Sequence, residues 1–461
     1  MKRHSSLIAL LLVLALLLTA CGSAMPAAVK NDAAEPAGEK AGGKAPAGDA
    51  GADAPGEPEM EGGVFGDYAV RDGGGSPAVY GAPGSGAAPV SAPGSGEAPE
   101  PGKDPEPADE PGEDPEPGED PEPVQAQGLL LTAAEWNDNQ NWPFFTNLVN
   151  EGRIRFPSFG IDPRQRLQVT LRSEADAPLV NEPVVLLDED GGVLWSARSD
   201  KDGVAYLFWT PEQRPAKVVS GGAEAEVTLR EDGGDGQGAA LMRPQDSILL
   251  QAAATVPAQQ GMQILFIVDT TGSMGDELAY LQKDFSAIAG RVGGEALQWS
   301  VSFYRDEGDD YVTRHSPFTA SVAELQAKIN AEYADGGGDT PEAVAQVLTE
   351  CLTRREDWDE NAVKLAFLIF DAPPHEGREE ELQAAIRSAA ERGIRLIPVV
   401  ASNADRETEL FGRAAAICTN GSYVFLTDDS GVGNSHLEPI VGSYEVKLLQ
   451  DLIVEIIQRY R

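Results

Sequence analysis

Three oxygen-bearing side chains lie close together directly after an apolar run. The run is Ile264–Val268, and the turn that follows has the sequence DTTGS. The carboxylate of Asp269 and the hydroxyls of Thr271 and Ser273 are hard oxygen donors, which are the ligands that Mg²⁺ prefers. An apolar run of this length is typical of a buried strand. The pattern therefore predicts a magnesium-type cation site at the end of a central strand.

Two later segments supply further oxygens at similar positions. Thr340 lies in the segment DGGGDTPE, directly before a predicted helix, and Asp371 ends the apolar segment FLIFD. Strand ends and helix starts meet at one edge of an open α/β sheet, where such sheets bind ligands. Asp269 and Asp371 would offset the charge of a cation, directly or through water, whereas the hydroxyls would add none. The cation would then remain electrophilic and take one more oxygen from outside.

The order and spacing of these segments resemble the metal-ion-dependent adhesion site of von Willebrand factor type A (VWA) domains. The resemblance covers about residues 262–461 and implies that Asp269, Thr271, Ser273, Thr340 and Asp371 hold Mg²⁺, or else Mn²⁺ or Ca²⁺. It also implies a protein partner that offers an acidic side chain to the metal. Thr271 departs from the commonest D-x-S-x-S form but keeps the hydroxyl. The alternative is that these residues only cap strands and form turns.

The elements that must position these residues alternate between strand and helix. We therefore predict a doubly wound α/β domain with a mostly parallel, Rossmann-like sheet over residues 259–461. The predicted strands are Gln263–Val268, Leu297–Tyr304, Tyr311–Arg314, Lys364–Phe370, Arg395–Ala401 and Tyr423–Thr427. The predicted helices are Asp276–Val292, Ser321–Tyr333, Pro341–Arg355, Glu379–Arg392, Glu407–Cys418 and Tyr444–Tyr460. The second and third strands are expected to form an antiparallel hairpin at the sheet edge.

Short strands and Asp/Gly turns before this domain predict a small all-β sandwich at 128–230. Its strand order resembles the transthyretin-like regulatory folds of carboxypeptidases. The aromatic-rich start, from Glu135 to Phe145, is expected to be helical or irregular. Asp200 and Asp202 are either a hairpin turn, which we favour, or calcium ligands. A linker is predicted at 231–258, in which 247–250 forms a strand between the two domains.

The chain begins with a basic start and an apolar run, Leu7–Ala20, that is too short for a permanent membrane span. Residues 1–20 are therefore predicted to be a signal peptide. The sequence LTACG around Cys21 resembles a bacterial lipobox, which implies lipidation of Cys21 and anchoring at the extracytoplasmic face of the cell membrane. The alternative is an ordinary signal peptide cut near Ala20. Residues 21–127 are predicted to be a disordered spacer rich in Pro, Gly and Glu. Either its length serves to carry the folded part away from the membrane, or it is a linker under no selection for length.

The charge and the cysteine content of the chain limit its possible partners and its possible disulfides. A formal charge of −40 argues against nucleic acid as a partner. Three cysteines are too few for a disulfide framework. Cys351 and Cys418 are expected to pack in the core, and the alternative is that they form a disulfide with each other. The acidic loop 306–310 either holds a second cation or forms a solvated hairpin. His375 is expected to shape the neighbouring loop, and the alternative is that it contacts a ligand.

No catalytic motif occurs in a suitable context, including G-x-S-x-G, HExxH and a phosphate-binding loop. We therefore predict a binding protein of the cell surface and not an enzyme. The alternatives are a metal-assisted hydrolase and a scaffold subunit of an envelope assembly.

Overall fold

A computed structural model of the chain describes residues 131–156, 159–231, 242–244, 247–338, 340–430 and 435–461. The predicted signal peptide, Cys21 and the predicted spacer lie outside the described residues and stay predictions. In the described ranges, no helix has the length and apolar character needed to cross a membrane.

Strands and helices are numbered along the chain. The first half contains one helix, α1 (Trp142–Asn150), among ten strands in the described ranges. These strands are β1 (Thr132–Trp136), β2 (Arg166–Arg172), β3 (Pro183–Asp188), β4 (Val193–Arg198), β5 (Val204–Phe208), β6 (Pro215–Ser220), β7 (Ala223–Glu226), β8 (Leu229–Glu231), β9 (Met242–Pro244) and β10 (Ser247–Gln251).

The second half alternates between strand and helix. Its strands are β11 (Met262–Asp269), β12 (Leu297–Tyr304), β13 (Thr313–His315), β14 (Val363–Phe370), β15 (Ile394–Val400), β16 (Tyr423–Thr427) and β17 (Lys447–Leu448). Its α-helices are α2 (Gly275–Val292), α3 (Val322–Ala331), α4 (Val344–Leu348), α5 (Glu379–Arg392), α6 (Arg406–Cys418) and α7 (Leu449–Tyr460). A π-helical turn, Thr349–Arg354, continues α4.

The main sheet has eight strands in the order β13-β12-β11-β14-β15-β16-β1-β17. The five strands from β12 to β16 are parallel, and β13 forms the expected antiparallel hairpin with β12 at the edge. Buried side chains of α2, α3 and α7 join one apolar cluster with the sheet, whereas those of α5 and α6 join another that continues into the sandwich. The predicted fold, a mostly parallel doubly wound sheet, is confirmed.

The aromatic-rich segment differs from the sequence expectation. Its first part is strand β1, which pairs antiparallel with β16 and places Ala133 and Ala134 in the core. The prediction of helical or irregular structure is therefore wrong for Glu135 and Trp136, although α1 follows. The sequence TAAEW has weak strand propensity, and the pairing with β16 decides its conformation. The α/β sheet thus begins before the sandwich in the chain and continues after it.

The sandwich consists of a three-stranded sheet, β10-β2-β5, and a four-stranded sheet, β4-β3-β6-β7. Strand β10 pairs in parallel with β2, so a segment expected in the linker belongs to the sandwich sheet. Asp200 accepts hydrogen bonds from the backbone amides of Asp202 and Val204, both at 2.9 Å, and from Asn420 at 3.0 Å. These bonds support the hairpin-turn interpretation over calcium ligation.

Two predicted helices start three or more residues later than expected. The helix predicted from Pro341 begins at Val344, because Glu342 instead forms a parallel bridge with Pro374. The helix predicted from Tyr444 begins at Leu449, because Lys447 and Leu448 pair with β1. Cys351 and Cys418 are free and buried in separate elements, as expected for core residues. Burial raises the pKa of the Cys351 thiol to about 11, so it does not behave as a reactive cysteine.

Candidate metal centre

Asp269 ends β11 and organises the turn that follows it. Its side chain is wholly buried, and Oδ1 accepts hydrogen bonds from the backbone amide of Thr271 at 2.9 Å and from its hydroxyl at 2.8 Å. The Thr271 hydroxyl lies 3.4 Å from that of Ser273. A 3₁₀ turn, Gly272–Met274, then leads into α2. The turn therefore brings the first three predicted ligands together.

Asp371 reaches the same place from the end of β14. Strands β14 and β11 are parallel neighbours, so their carboxyl ends lie side by side. The Asp371 side chain is buried, and the Ser273 hydroxyl interacts with its carboxyl group. Oδ2 of Asp269 and Oδ1 of Asp371 are both buried, and neither has a hydrogen-bond partner among the described residues. Two buried carboxylate oxygens without donors are costly unless a proton or a cation neutralises them.

The carboxyl groups of this cluster have raised pKa values. Burial, followed by the charge of Asp371, raises the pKa of Asp269 to about 7. Burial, followed by the charge of Glu277, raises the pKa of Asp371 to about 6. Burial also raises the pKa of Glu342 to about 9, and Asp269 is the largest charge that adds to it. The cluster therefore favours bound positive charge, which a divalent cation supplies as well as protons do.

The glycine-rich loop 335–338 lies against the DTTGS turn. The Asp335 amide donates to the Thr270 carbonyl at 3.1 Å, and the Gly272 amide donates to the Gly336 carbonyl at 3.2 Å. Gly337 has a φ of +82°, and a Cβ there would lie 3.0 Å from Cβ of Thr271 and 2.9 Å from Oε1 of Glu342. Only glycine allows this close approach without strain.

Thr340 lies between two segments that are anchored near the other predicted ligands. It is exposed, and in the described part of the chain no hydrogen bond joins it to the other four predicted ligands. The loop on one side of it is anchored to the DTTGS turn. On the other side, the Glu342 amide donates to the Pro373 carbonyl at 3.0 Å, two residues beyond Asp371. The structure thus clusters Asp269, Thr271, Ser273 and Asp371, and it holds Thr340 between two anchors beside them.

Two buried acids beside the cluster are not predicted from the sequence. Glu342 is 4% exposed and Glu277 is 3% exposed, and each has one carboxylate oxygen, Oε2, without a hydrogen-bond partner among the described residues. The other oxygen of Glu277 accepts from the Ser402 amide at 3.1 Å and from the Ser402 hydroxyl. Glu277 lies four residues after Ser273, about one helical turn further along the chain. This spacing could have identified Glu277 as a neighbour of the site from the sequence. Glu342 has a weaker signal, its position two residues after Thr340.

The acidic loop 306–310 has partners within the protein. Asp309 accepts from the backbone amides of Asp306 at 3.1 Å and Gly337 at 2.9 Å. The Asp306 carboxylate lies 2.5 Å from Nε2 of His375. These contacts favour the hairpin interpretation over a second cation, and they give His375 a structural role.

Across the described ranges, no group of three or more His, Cys, Asp or Glu side chains is arranged to hold a metal. A cation at the end of β11 would therefore depend on hydroxyl ligands as well as carboxylates.

The comparison with protein-family models agrees with this architecture. Residues 263–434 match the family model described as von Willebrand factor type A domain. A curated relative, a putative ariadne-like RING finger protein of Acanthamoeba polyphaga mimivirus, is 25% identical over 218 residues, which are 42% of this chain. The match spans 20% of that relative's length. Among solved structures, the conserved hypothetical protein BatB from Bacteroides thetaiotaomicron is 16% identical with a TM-score of 0.31, covering 43% of this chain and 98% of that one.

Proposed function

We propose that the VWA domain binds a divalent cation, and through it an acidic side chain of a protein partner. The five residues that would hold the cation are Asp269, Thr271, Ser273, Thr340 and Asp371. The observation that carries the proposal is the pair of buried, unpartnered carboxylate oxygens on Asp269 and Asp371. Mg²⁺ suits such an all-oxygen set, and Mn²⁺ or Ca²⁺ would suit it as well.

The cation would supply a positive centre at an exposed rim of the sheet. Ser273 and Thr340 are exposed, so the rim is accessible to a ligand from solution. Asp269 and Thr271 are buried and hold the turn in one conformation. The buried residues would therefore fix the cation, while the exposed face receives the partner's carboxylate. This division of roles suits a site that binds a partner from solution.

We also propose where the domain operates. The lipobox-like sequence at Cys21 supports a lipid anchor at the extracytoplasmic face of a cell membrane. Two acyl chains on one cysteine would suffice for stable anchoring. The acidic, proline-rich spacer supports a position of the VWA domain away from the membrane surface, because like charges and proline both extend a chain.

A pull-down from intact cells that produce the protein tests the proposal. The full chain is used as bait with Mg²⁺, with EDTA, and as the variant Asp269→Ala. We expect protein capture with Mg²⁺ alone, lost with EDTA and lost in the variant. Capture that persists under both conditions would show that the proposed site does not bind the partner.

A matched variant and an activity assay separate the alternatives. Glu356→Gln removes an exposed carboxylate outside the site and should capture as the wild type does. Turnover of a generic ester or phosphate that needs Asp269 would favour the hydrolase. A partner that stays bound through EDTA washing, but needs Mg²⁺ for assembly, would favour the scaffold subunit.

A further inference from the structure

A cavity of about 400 Å³ lies at the amino ends of the central strands. Its wall includes Met262 and Leu297, the first residues of β11 and β12, and Lys364 near the start of β14. Strand β11 has eight residues, which at roughly 3.3 Å per residue places its two ends about 23 Å apart. The cavity is therefore distinct from the candidate metal centre at the carboxyl ends.

Both the sandwich and the α/β domain contribute to this cavity. Asn181 and Ser199 come from the sandwich, whereas Lys364, Arg395 and Tyr460 come from the α/β domain. Gly393, at the end of α5, also lines it, and a Cβ there would lie 3.2 Å from Cβ of Arg198. A ligand in the cavity would contact both parts of the chain at once.

Positive side chains outnumber carboxylates around the cavity, because Lys201, Lys364, Arg395 and Arg461 line it together with Asp200 and Glu295. Lys364 is 3% exposed and Arg395 is 6% exposed. Nζ of Lys364 donates to the Arg392 carbonyl at 2.8 Å, and the Arg395 guanidinium donates to the carbonyls of Arg198 at 3.2 Å and Thr419 at 3.4 Å. These acceptors are neutral, and within the described ranges neither cation forms an ion pair. The charges of Arg198 and Arg392, after burial, lower the pKa of Lys364 to about 8.

Among the described residues, the nearby acids form no ion pair with Lys364 or Arg395. Asp200 lines the cavity and its charge favours the Arg395 cation, but its oxygens accept from Asp202, Val204 and Asn420 in the hairpin turn. Glu295 and Glu360 are exposed, so water screens them. Two buried cations held only by carbonyl oxygens are costly. A bound anion would remove that cost.

We propose that the cavity binds a small oxyanion, a phosphate or carboxylate group, with Lys364 and Arg395 as its charged contacts. The Arg395 guanidinium matches either group, because both present two oxygens in one plane. Since the sandwich and the α/β domain both line the cavity, the anion would hold the two together. Its binding is independent of a cation at Asp269.

Thermal unfolding and calorimetry of the full chain test this inference. Inorganic phosphate and citrate are titrated separately against chloride at matched ionic strength, with EDTA present throughout. We expect a saturable rise in Tm with at least one of the two anions. Lys364→Met and Arg395→Gln should each weaken its affinity about tenfold or more, because each removes a charge-assisted hydrogen bond.

Lys283→Met is the matched control, since it removes an exposed lysine on α2. It should leave the affinity unchanged, and circular dichroism establishes that each variant is folded. If Arg395→Gln does not fold, Lys364→Met decides the outcome. Saturation by phosphate alone or by citrate alone identifies the anion class. The inference is overturned if neither anion stabilises the folded protein in a saturable way, or if the Lys283 variant loses as much affinity as the Lys364 variant.

Discussion

Asp269 combines full burial with a neighbouring negative charge on Asp371, and this combination makes its charge state responsive to pH near neutrality. Its pKa of about 7 and the Asp371 pKa of about 6 mean that both groups must lose protons before a cation binds. The sequence indicates the residue types and their order. It cannot indicate the depth of burial, which comes from β11, β12 and β14 packing around the turn.

The first prediction concerns the pH dependence of cation affinity. Between pH 5.5 and 7.5 the two carboxyl groups titrate, so Mg²⁺ affinity should rise on the order of 100-fold over this range. Calorimetric titration of the full chain in a pH series measures it. An affinity that stays constant from pH 5.5 to 7.5 would mean that neither carboxyl group competes with protons for the cation.

The second prediction concerns Asp269→Asn in the absence of metal. Because the folded-state pKa of Asp269 is raised, its ionisation lowers the free energy of unfolding as pH rises from about 4 to about 7. At pH 8 with EDTA the variant should therefore be more stable than the wild type, on the order of a few kcal/mol. Near pH 4 the two should agree.

Urea unfolding at pH 4 and pH 8 checks this second prediction. Asp359→Asn, at an exposed turn, serves as the control and should show no such difference. A variant less stable than the wild type at pH 8 would count against a buried, uncompensated charge at Asp269.

Glu342 shows how far residue-scale prediction extends. Its place in the segment DGGGDTPE is visible in the sequence, yet its burial depends on two contacts that are distant along the chain. These are the approach of Gly337 to Thr271 and the bond from Glu342 to the Pro373 carbonyl. Local spacing carries no information about either contact, so the burial of Glu342 is found only in the structure.

At the scale of elements, the loop 335–338 positions the rim of the site. Gly337 and Gly338 both have positive φ, at +82° and +73°. They differ in their surroundings, because a Cβ at Gly338 would meet no atom within 4 Å. Substituting each glycine by alanine therefore separates two effects. One is the free-energy cost of a positive φ, and the other is the cost of placing a Cβ too close to Thr271 and Glu342.

The third prediction uses this pair. Gly338→Ala should lower the free energy of unfolding by about 1–2 kcal/mol through its backbone alone and leave cation affinity nearly unchanged. Gly337→Ala should also displace Thr271 and weaken Mg²⁺ binding by about tenfold or more, as expected for a misplaced ligand. Titration calorimetry on both variants measures the contrast. Equal affinities would show that the loop does not position the ligands.

Strands and helices with strong apolar periodicity are predicted closely. The bounds of β12, β16 and α5 agree with the sequence prediction at both ends. The errors occur where long-range pairing decides the conformation. Glu342 pairs with Pro374 instead of starting a helix, and Lys447 pairs with β1. Propensity alone favours a helix at both places, and tertiary contacts override it.

At the scale of the whole molecule, strand β1 joins distant parts of the chain. Thr132 donates a hydrogen bond to the Thr427 carbonyl at 3.1 Å, across 295 residues of sequence. Asp138, shortly after β1, binds Arg413 of α6 through bonds of 2.9 and 2.7 Å, and both side chains are buried. The sandwich is therefore inserted between two parts of one sheet, which a pattern-based boundary at 259 cannot indicate.

The fourth prediction compares residues 131–461 with residues 259–461. The shorter chain lacks β1, Asp138 and the sandwich, so β16 loses a neighbouring strand, Arg413 loses a buried partner and one apolar cluster is shortened. We expect it to be less stable by at least about 3–5 kcal/mol, the cost of breaking a buried ion pair. Urea unfolding of the two chains measures the difference.

The variant Asp138→Asn, made in the longer chain, measures the contribution of the Asp138–Arg413 ion pair alone to the free energy of unfolding. Arg291→Met, which breaks an exposed pair with Asp451, should cost less than about 1 kcal/mol. Equal stability of the two chains would show that the α/β domain does not need β1.

The central claim is that Asp269, Thr271, Ser273, Thr340 and Asp371 hold one divalent cation. Isothermal titration of the full chain with MgCl₂ at pH 7.5 tests it most directly, alongside Asp269→Asn, Asp371→Asn and the control Glu356→Gln. We predict one Mg²⁺ per wild-type chain, the same in the control, and binding lost in both aspartate variants. Binding that persists in both aspartate variants, or a wild type that binds no Mg²⁺, Mn²⁺ or Ca²⁺, would contradict the claim.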